Sequence, residues 1–193
     1  MRDHGQGLDS SMLMLNLWLT QAVVMVLAAA GSLWLHGWQS TLALFSRPSP
    51  AGMGWTMLVA VLVVGISIGM ERFLPERWQD DGSINERLFG QMSKLMTILV
   101  CVVVGFTEEW LFRGVIQSFA GNLWTSVIFT LIHTRYLRKP LLVASLFLTS
   151  WLLGELYAYE WNLWLPIAAH ILVDLTLAFY LQYILKRRKG EGE

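Results

Sequence analysis

Long apolar blocks organise this sequence, at 12–35, 55–70, 95–119, 123–137, 140–157 and 162–185, with short polar pieces between them. Blocks of this length match the hydrocarbon layer of a bilayer, where a helix satisfies every backbone donor and acceptor within one segment. The expected fold is therefore all-α, a polytopic membrane helical bundle of about six transmembrane helices in a single domain, 1–193. Blocks 55–70 and 123–137 are short for a span, which predicts tilt or partial embedding. The stretch 40–45 is too short to cross and is expected at the membrane interface. Breakers separate the blocks at Arg47-Pro48-Ser49-Pro50, Asp80-Asp81-Gly82-Ser83 and Gly121-Asn122. The run Ala28-Ala29-Ala30-Gly31-Ser32 faintly resembles a signal-peptidase site. Its apolar stretch is longer than a signal h-region, so block one reads as an uncleaved anchor.

Charge gives the orientation. Twelve of the 14 Lys and Arg fall into four groups, at Arg2, at 72–94, at 135–139 and at 186–189. Placing those groups inside leaves only Arg47 and Arg113, and the positive-inside rule then puts both termini in the cytoplasm. The expected location is a cell membrane, with the lipid bilayer as a partner and the cations at 186–189 as a topology anchor touching anionic lipid. Formal net charge is +0, so nucleic-acid binding has no electrostatic support. The single cysteine, Cys101, excludes an internal disulfide and a thiolate zinc cluster, and in its Val-rich run it reads as a packing residue. Trp34, Trp38, Trp55, Trp161 and Trp164 suit interfacial belts, while Glu155 and Glu160 are expected to snorkel to water. His4 and His36 receive no role.

Against that background Glu108-Glu109-Trp110-Leu111-Phe112-Arg113 stands out, because it sets two acids and an arginine inside a membrane-depth block. Intramembrane charge costs several kcal/mol and persists where it is paired and used. Counting from the outer helix ends at about 1.5 Å per residue, Glu108, His133 and His170 lie roughly 16, 15 and 12 Å deep. Three ionisable groups from distant blocks thus share one depth, which argues for one shared site. Glu109 and Arg113 have the i,i+4 spacing of an ion pair, and Glu108 points about 100° away, on the face of Cys101, Gly105 and Phe112. Glu108 is then free to face the histidines, with Gly105 leaving room for a water or a substrate backbone. His170 and Asp174 are again i,i+4, so Asp174 either fixes the imidazole tautomer or joins the site.

A carboxylate with two histidines suits water activation, Glu108 acting as general base. The histidines then position the water, donate to an oxyanion, or bind a metal together with Glu108. The plainer alternatives are a buried ion pair locking helix packing, an interfacial His133, and an interhelical hydrogen bond from His170.

Glu108-Glu109-x-x-x-Arg113, Phe129-x-x-x-His133 and His170-x-x-x-Asp174, in this order, resemble the three-motif signature of the CPBP (Abi) family of CAAX proteases and bacteriocin-processing enzymes. The resemblance covers 95–185, the expected catalytic core, and 1–94 matches only as generic membrane helices. It implies an intramembrane endopeptidase in which Glu108 activates water, His133 assists, and Glu109, Arg113, His170 and Asp174 complete the site. In the prenyl-protease branch Asn usually stands where Asp174 does. Asp174 is therefore either protonated, or orients His170 while the oxyanion is held otherwise. The family is named for metalloproteases, and a bound Zn2+ would take Glu108, His133 and His170. A metal-free glutamate mechanism is preferred, because a carboxylate spent on zinc is a poorer base.

The compact architecture points to a bacterial source, and the expected substrate is a peptide or membrane-protein segment. The competing reading is a non-proteolytic scaffold or bacteriocin-immunity protein that keeps the same polar cluster. A proton-relay transporter is disfavoured by the lack of an internal repeat.

Overall fold

The computed structural model describes residues 4–75 and 83–190, without the side chains of 4–10, 135, 189 and 190. Arg2, Arg77 and the Asp80-Asp81-Gly82 break lie outside the described residues, as do the side chains of Arg135 and Lys189. Helices make up the fold, with no strand among the described residues. They are α1 (His4–Ala43), α2 (Pro50–Phe73), α3 (Ile84–Phe89), α4 (Lys94–Glu109), a π-helical stretch (Trp110–Ile116), α5 (Gln117–Ile132), a 3-10 turn (Thr134–Tyr136), α6 (Pro140–Glu160) and α7 (Trp164–Gly190). Five stretches are long and apolar enough to cross a membrane: Ser11–Ala43, Pro50–Phe73, Lys94–Ile132, Pro140–Glu160 and Trp164–Arg188.

The longest of these does not run straight. Gly121 has φ 74° and ψ 168°, a conformation open to glycine and costly for other residues. Nothing lies within 4 Å of where its Cβ would be, so the backbone angle, and not crowding, demands the glycine. The chain folds back there, and the rings of Phe112 and Phe129 meet at 4.8 Å. Blocks 95–119 and 123–137 are thus the two arms of a helical hairpin.

Gly37, at φ 72° and ψ 174°, does the same within α1. The short piece beyond it returns into the bundle, so that Phe45 stacks 5.8 Å from Phe106 and Leu44 O accepts from Leu163 N at 2.8 Å. The stretch 40–45, expected at the membrane interface, therefore ends packed against α4 and α7. Block 55–70 is also longer than its apolar run suggests. Ser49 caps α2 by accepting from Gly52 N at 3.0 Å, and Pro50 occupies the first turn, where its missing N–H costs nothing.

Contacts fix the helix directions. Gln21 meets Thr107 and Glu108 while Gly31 meets Val115, so α1 runs parallel to α4. Thr97 meets Gln182 while Gly105 meets Ile171, so α7 runs antiparallel to α4. Arg113 meets Ser150 and Gln117 meets Gly154, which makes α6 parallel to the α4 arm. Against α7, α2 runs parallel: Gly52 lies by Leu165, and Val63 clusters with Val173.

The packing is inverted relative to a water-soluble bundle. Leu15, Leu19, Val23 and Val26 of α1 are exposed, whereas Gln21 and Ser32 on the same helix are buried. Hydroxyl residues line the seams, and several satisfy themselves within their own helix, as Thr56 does to Gly52 O at 3.0 Å and Thr130 to Ser126 O at 2.8 Å. Around α7, Leu165, Ala169, Val173, Leu163 and Ile167 carry the apolar core against α2, α6 and α4.

Candidate active site

Gly105 sets the geometry. A Cβ there would lie 2.7 Å from Ile171 Cγ1 and 3.3 Å from Ile171 N, so only glycine lets α7 come this close to α4. The space at Gly105, expected to hold water or substrate, is filled by α7. The close approach carries His170 onto Glu109. His170 Nδ1 donates to Glu109 Oε1 at 2.7 Å, and Glu109 Oε2 lies 3.0 Å from Arg113 Nε.

Glu109 and Arg113 are both 0% exposed, so the carboxylate is wholly committed to one cation and one imidazole. Arg113 reaches further, with Nη2 donating to Ser150 O at 2.8 Å and to Ser150 Oγ at 3.1 Å and its guanidinium 5.4 Å from the centre of the Phe129 ring. One ion pair thereby ties the α4 arm to α5, α6 and α7.

Arg113 belongs to the π-helical stretch, a form that recurs at functional sites. His36, given no role from the sequence, lies with Nε2 2.8 Å from Gly114 O, and Trp110 Nε1 donates to Ser32 Oγ at 2.9 Å. Helix α1 thus braces the widened turns.

Glu108 points elsewhere, into a cavity of about 580 Å³ inside the bundle. His133, His170, Asp174, Phe129 and Cys101 share its wall, and most of the remaining lining is apolar. The three groups placed at one depth from sequence, Glu108, His133 and His170, are brought to this one space, together with Asp174. His133 sits at the end of α5, at φ −80° and ψ 55°, and not within a continuing helix as block 123–137 implied. Its Nδ1 donates to Phe129 O at 2.7 Å, which leaves Nε2 to face the cavity. Phe129, 4.7 Å away, and Tyr136, stacked at 6.2 Å, hold the imidazole flat.

His170 differs from expectation in one respect. Asp174 does lie beside it, Oδ2 3.4 Å from Nε2, but the other nitrogen is held by Glu109. A neutral imidazole donates to one of these acids, and an imidazolium donates to both.

The donor set bears on metal. Both nitrogens of His170 already face carboxylates, so Glu108, His133 and His170 do not offer three free donors. No three His, Cys, Asp or Glu side chains among the described residues are gathered as a metal requires. The residues as arranged do not suit the three-ligand zinc site that catalysis needs.

Two further partners were not legible in the motifs. Gln21 Nε2 donates to Glu108 Oε1 at 3.4 Å, and the Thr107 hydroxyl donates to Gln21 Oε1. The amides Asn16 and Gln21 within the apolar run of α1 were the available signal. Glu155, exposed, and Glu160, partly exposed, also bond to neighbours: Glu160 accepts from Ser49 N at 3.0 Å and from the Ser49 hydroxyl, and Glu155 accepts from Asn122 Nδ2 at 2.8 Å.

A buried glutamate–arginine pair thus lies beside a second glutamate and two histidines, among helices long and apolar enough to cross a membrane. The model of the type II CAAX prenyl endopeptidases, Rce1-like, matches residues 90–176. The chain is also 33% identical over 172 residues to the uncharacterized protein YpbD of Bacillus subtilis (strain 168), covering 89% of this chain and 90% of that one. This protein belongs to the Rce1-like family, within the CPBP group, and is a multi-pass membrane protein of a protease family. No solved structure matches it.

Proposed function

We propose that the protein is an intramembrane endopeptidase that hydrolyses a peptide or membrane-protein segment with water activated by Glu108 and His133. The observation that carries this reading is the division of the two acids. Glu109 is consumed by Arg113 and His170, while Glu108 faces a cavity shared with His133.

In the proposed reaction Glu108 takes one proton from water, and the free Nε2 of His133 accepts a hydrogen bond from the other. The oxygen attacks the scissile carbonyl carbon, and the C=O pair moves onto its oxygen. As an imidazolium His170 keeps Nδ1–H on Glu109 and turns its Nε2–H, 3.4 Å from Asp174 Oδ2 at rest, to that oxyanion. The oxyanion pair then re-forms the C=O, the C–N bond breaks, and Glu108 returns its proton to the leaving nitrogen. No step needs a metal. Asp174 serves as the orienter of His170. The apolar wall suits a hydrophobic segment presented from the bilayer.

The distribution of basic residues supports cytoplasmic termini, and the Bacillus relative supports a bacterial cell membrane. The test is a quantitative comparison of membrane peptides in cells carrying the wild type or Glu108→Gln. Uncut precursors should accumulate in the variant. Identical peptide profiles would favour the scaffold reading, in which the same polar cluster serves packing alone.

A further inference from the structure

We propose that Gln21, on α1 and outside the family-matched segment, is a positioning residue that holds the Glu108 carboxylate with one oxygen turned to the cavity; this rests on Glu108 as the base. Gln21 is 6% exposed on α1, whose Leu15, Leu19, Val23 and Val26 are exposed, and a buried amide of this kind bonds across helices. Its two ends are engaged differently. Nε2 donates to Glu108 Oε1 at 3.4 Å, and Oε1 accepts from the Thr107 hydroxyl. Among the described residues, no other side chain hydrogen-bonds to Glu108.

Thr107 also lies 2.9 Å from Val103 O and 3.3 Å from Val104 O. Its single proton has one destination at a time, and giving it to Gln21 fixes which way the amide faces. Thr107 thus sets the amide, and the amide presents N–H, not C=O, to the carboxylate. With Oε1 of Glu108 occupied, Oε2 is left for the water. The bond is long, as catalytic hydrogen bonds commonly are before substrate arrives.

The test reads Glu108 directly. In purified full-length protein, the infrared spectrum of wild type minus that of Glu108→Gln isolates the Glu108 carboxylate stretch. The same subtraction is made in Gln21→Leu and Thr107→Val backgrounds, the second reaching the same bond from α4 if the first does not fold. The band should move in both backgrounds and stay at its wild-type position in Thr107→Ser, which keeps the hydroxyl. In cells, Gln21→Leu at wild-type protein level should slow loss of the precursor peptides by about 10- to 100-fold. An unmoved band overturns the proposal, and so does a moved band with wild-type processing. If Glu108→Gln itself changes no membrane peptide, the peptidase reading fails and takes the catalytic part of the proposal with it. An unmoved band removes the Gln21 role alone.

Discussion

Adjacent in sequence, Glu108 and Glu109 have different work because they face different surroundings. Glu109 has a cation on one oxygen and an imidazole on the other, with no exposure to solvent. Glu109→Gln leaves Arg113 buried without its partner and should destabilise the protein by about 3–5 kcal/mol, measured as unfolding in detergent. Glu108→Gln should leave stability near wild type, because its amide keeps the shape and the cavity tolerates it. The i,i+4 spacing made the Glu109–Arg113 pair legible in sequence. The Glu109–His170 bond was not, because it depends on how closely α7 approaches α4, a distance no local spacing encodes. Chelation gives a second residue-scale prediction. With no three ligand side chains gathered among the described residues, exhaustive chelation should leave activity intact; loss on chelation with recovery by zinc alone would contradict it.

At the scale of elements, glycines decide where helices turn and how closely they pack. The helix blocks were readable from hydropathy, and so was the break at Gly121-Asn122. The reversal at Gly37 and the π-helical turns were not, since both arise from backbone geometry that an apolar pattern does not record. Gly105→Ala puts a methyl 2.7 Å from Ile171 Cγ1, and it should cost about 1–3 kcal/mol by overpacking. Ile171→Ala in the same chain should recover part of that loss, as followed by thermal unfolding. Full additivity of the two substitutions would show that the α4–α7 contact is not what Gly105 permits.

Across the whole molecule, α1, the α4 arm and α6 run one way while α2, the α5 arm and α7 run the other, as six alternating blocks require. The direction of the bundle in the bilayer rests on charge, so it has its own test. A fluorescent reporter fused after residue 193 should be active, and an export-dependent phosphatase at the same place should be silent. An active phosphatase there would invert the orientation.

The overall account stands on Glu108 as the base of an intramembrane peptidase while Glu109 holds the fold. The most direct measurement compares membrane peptides quantitatively across wild type, Glu108→Gln and Glu109→Gln, together with the folded amount of each protein. The account predicts wild-type levels of folded Glu108→Gln with uncut precursors accumulated, and a reduced folded fraction for Glu109→Gln. A fully folded Glu108→Gln with wild-type peptides would contradict it.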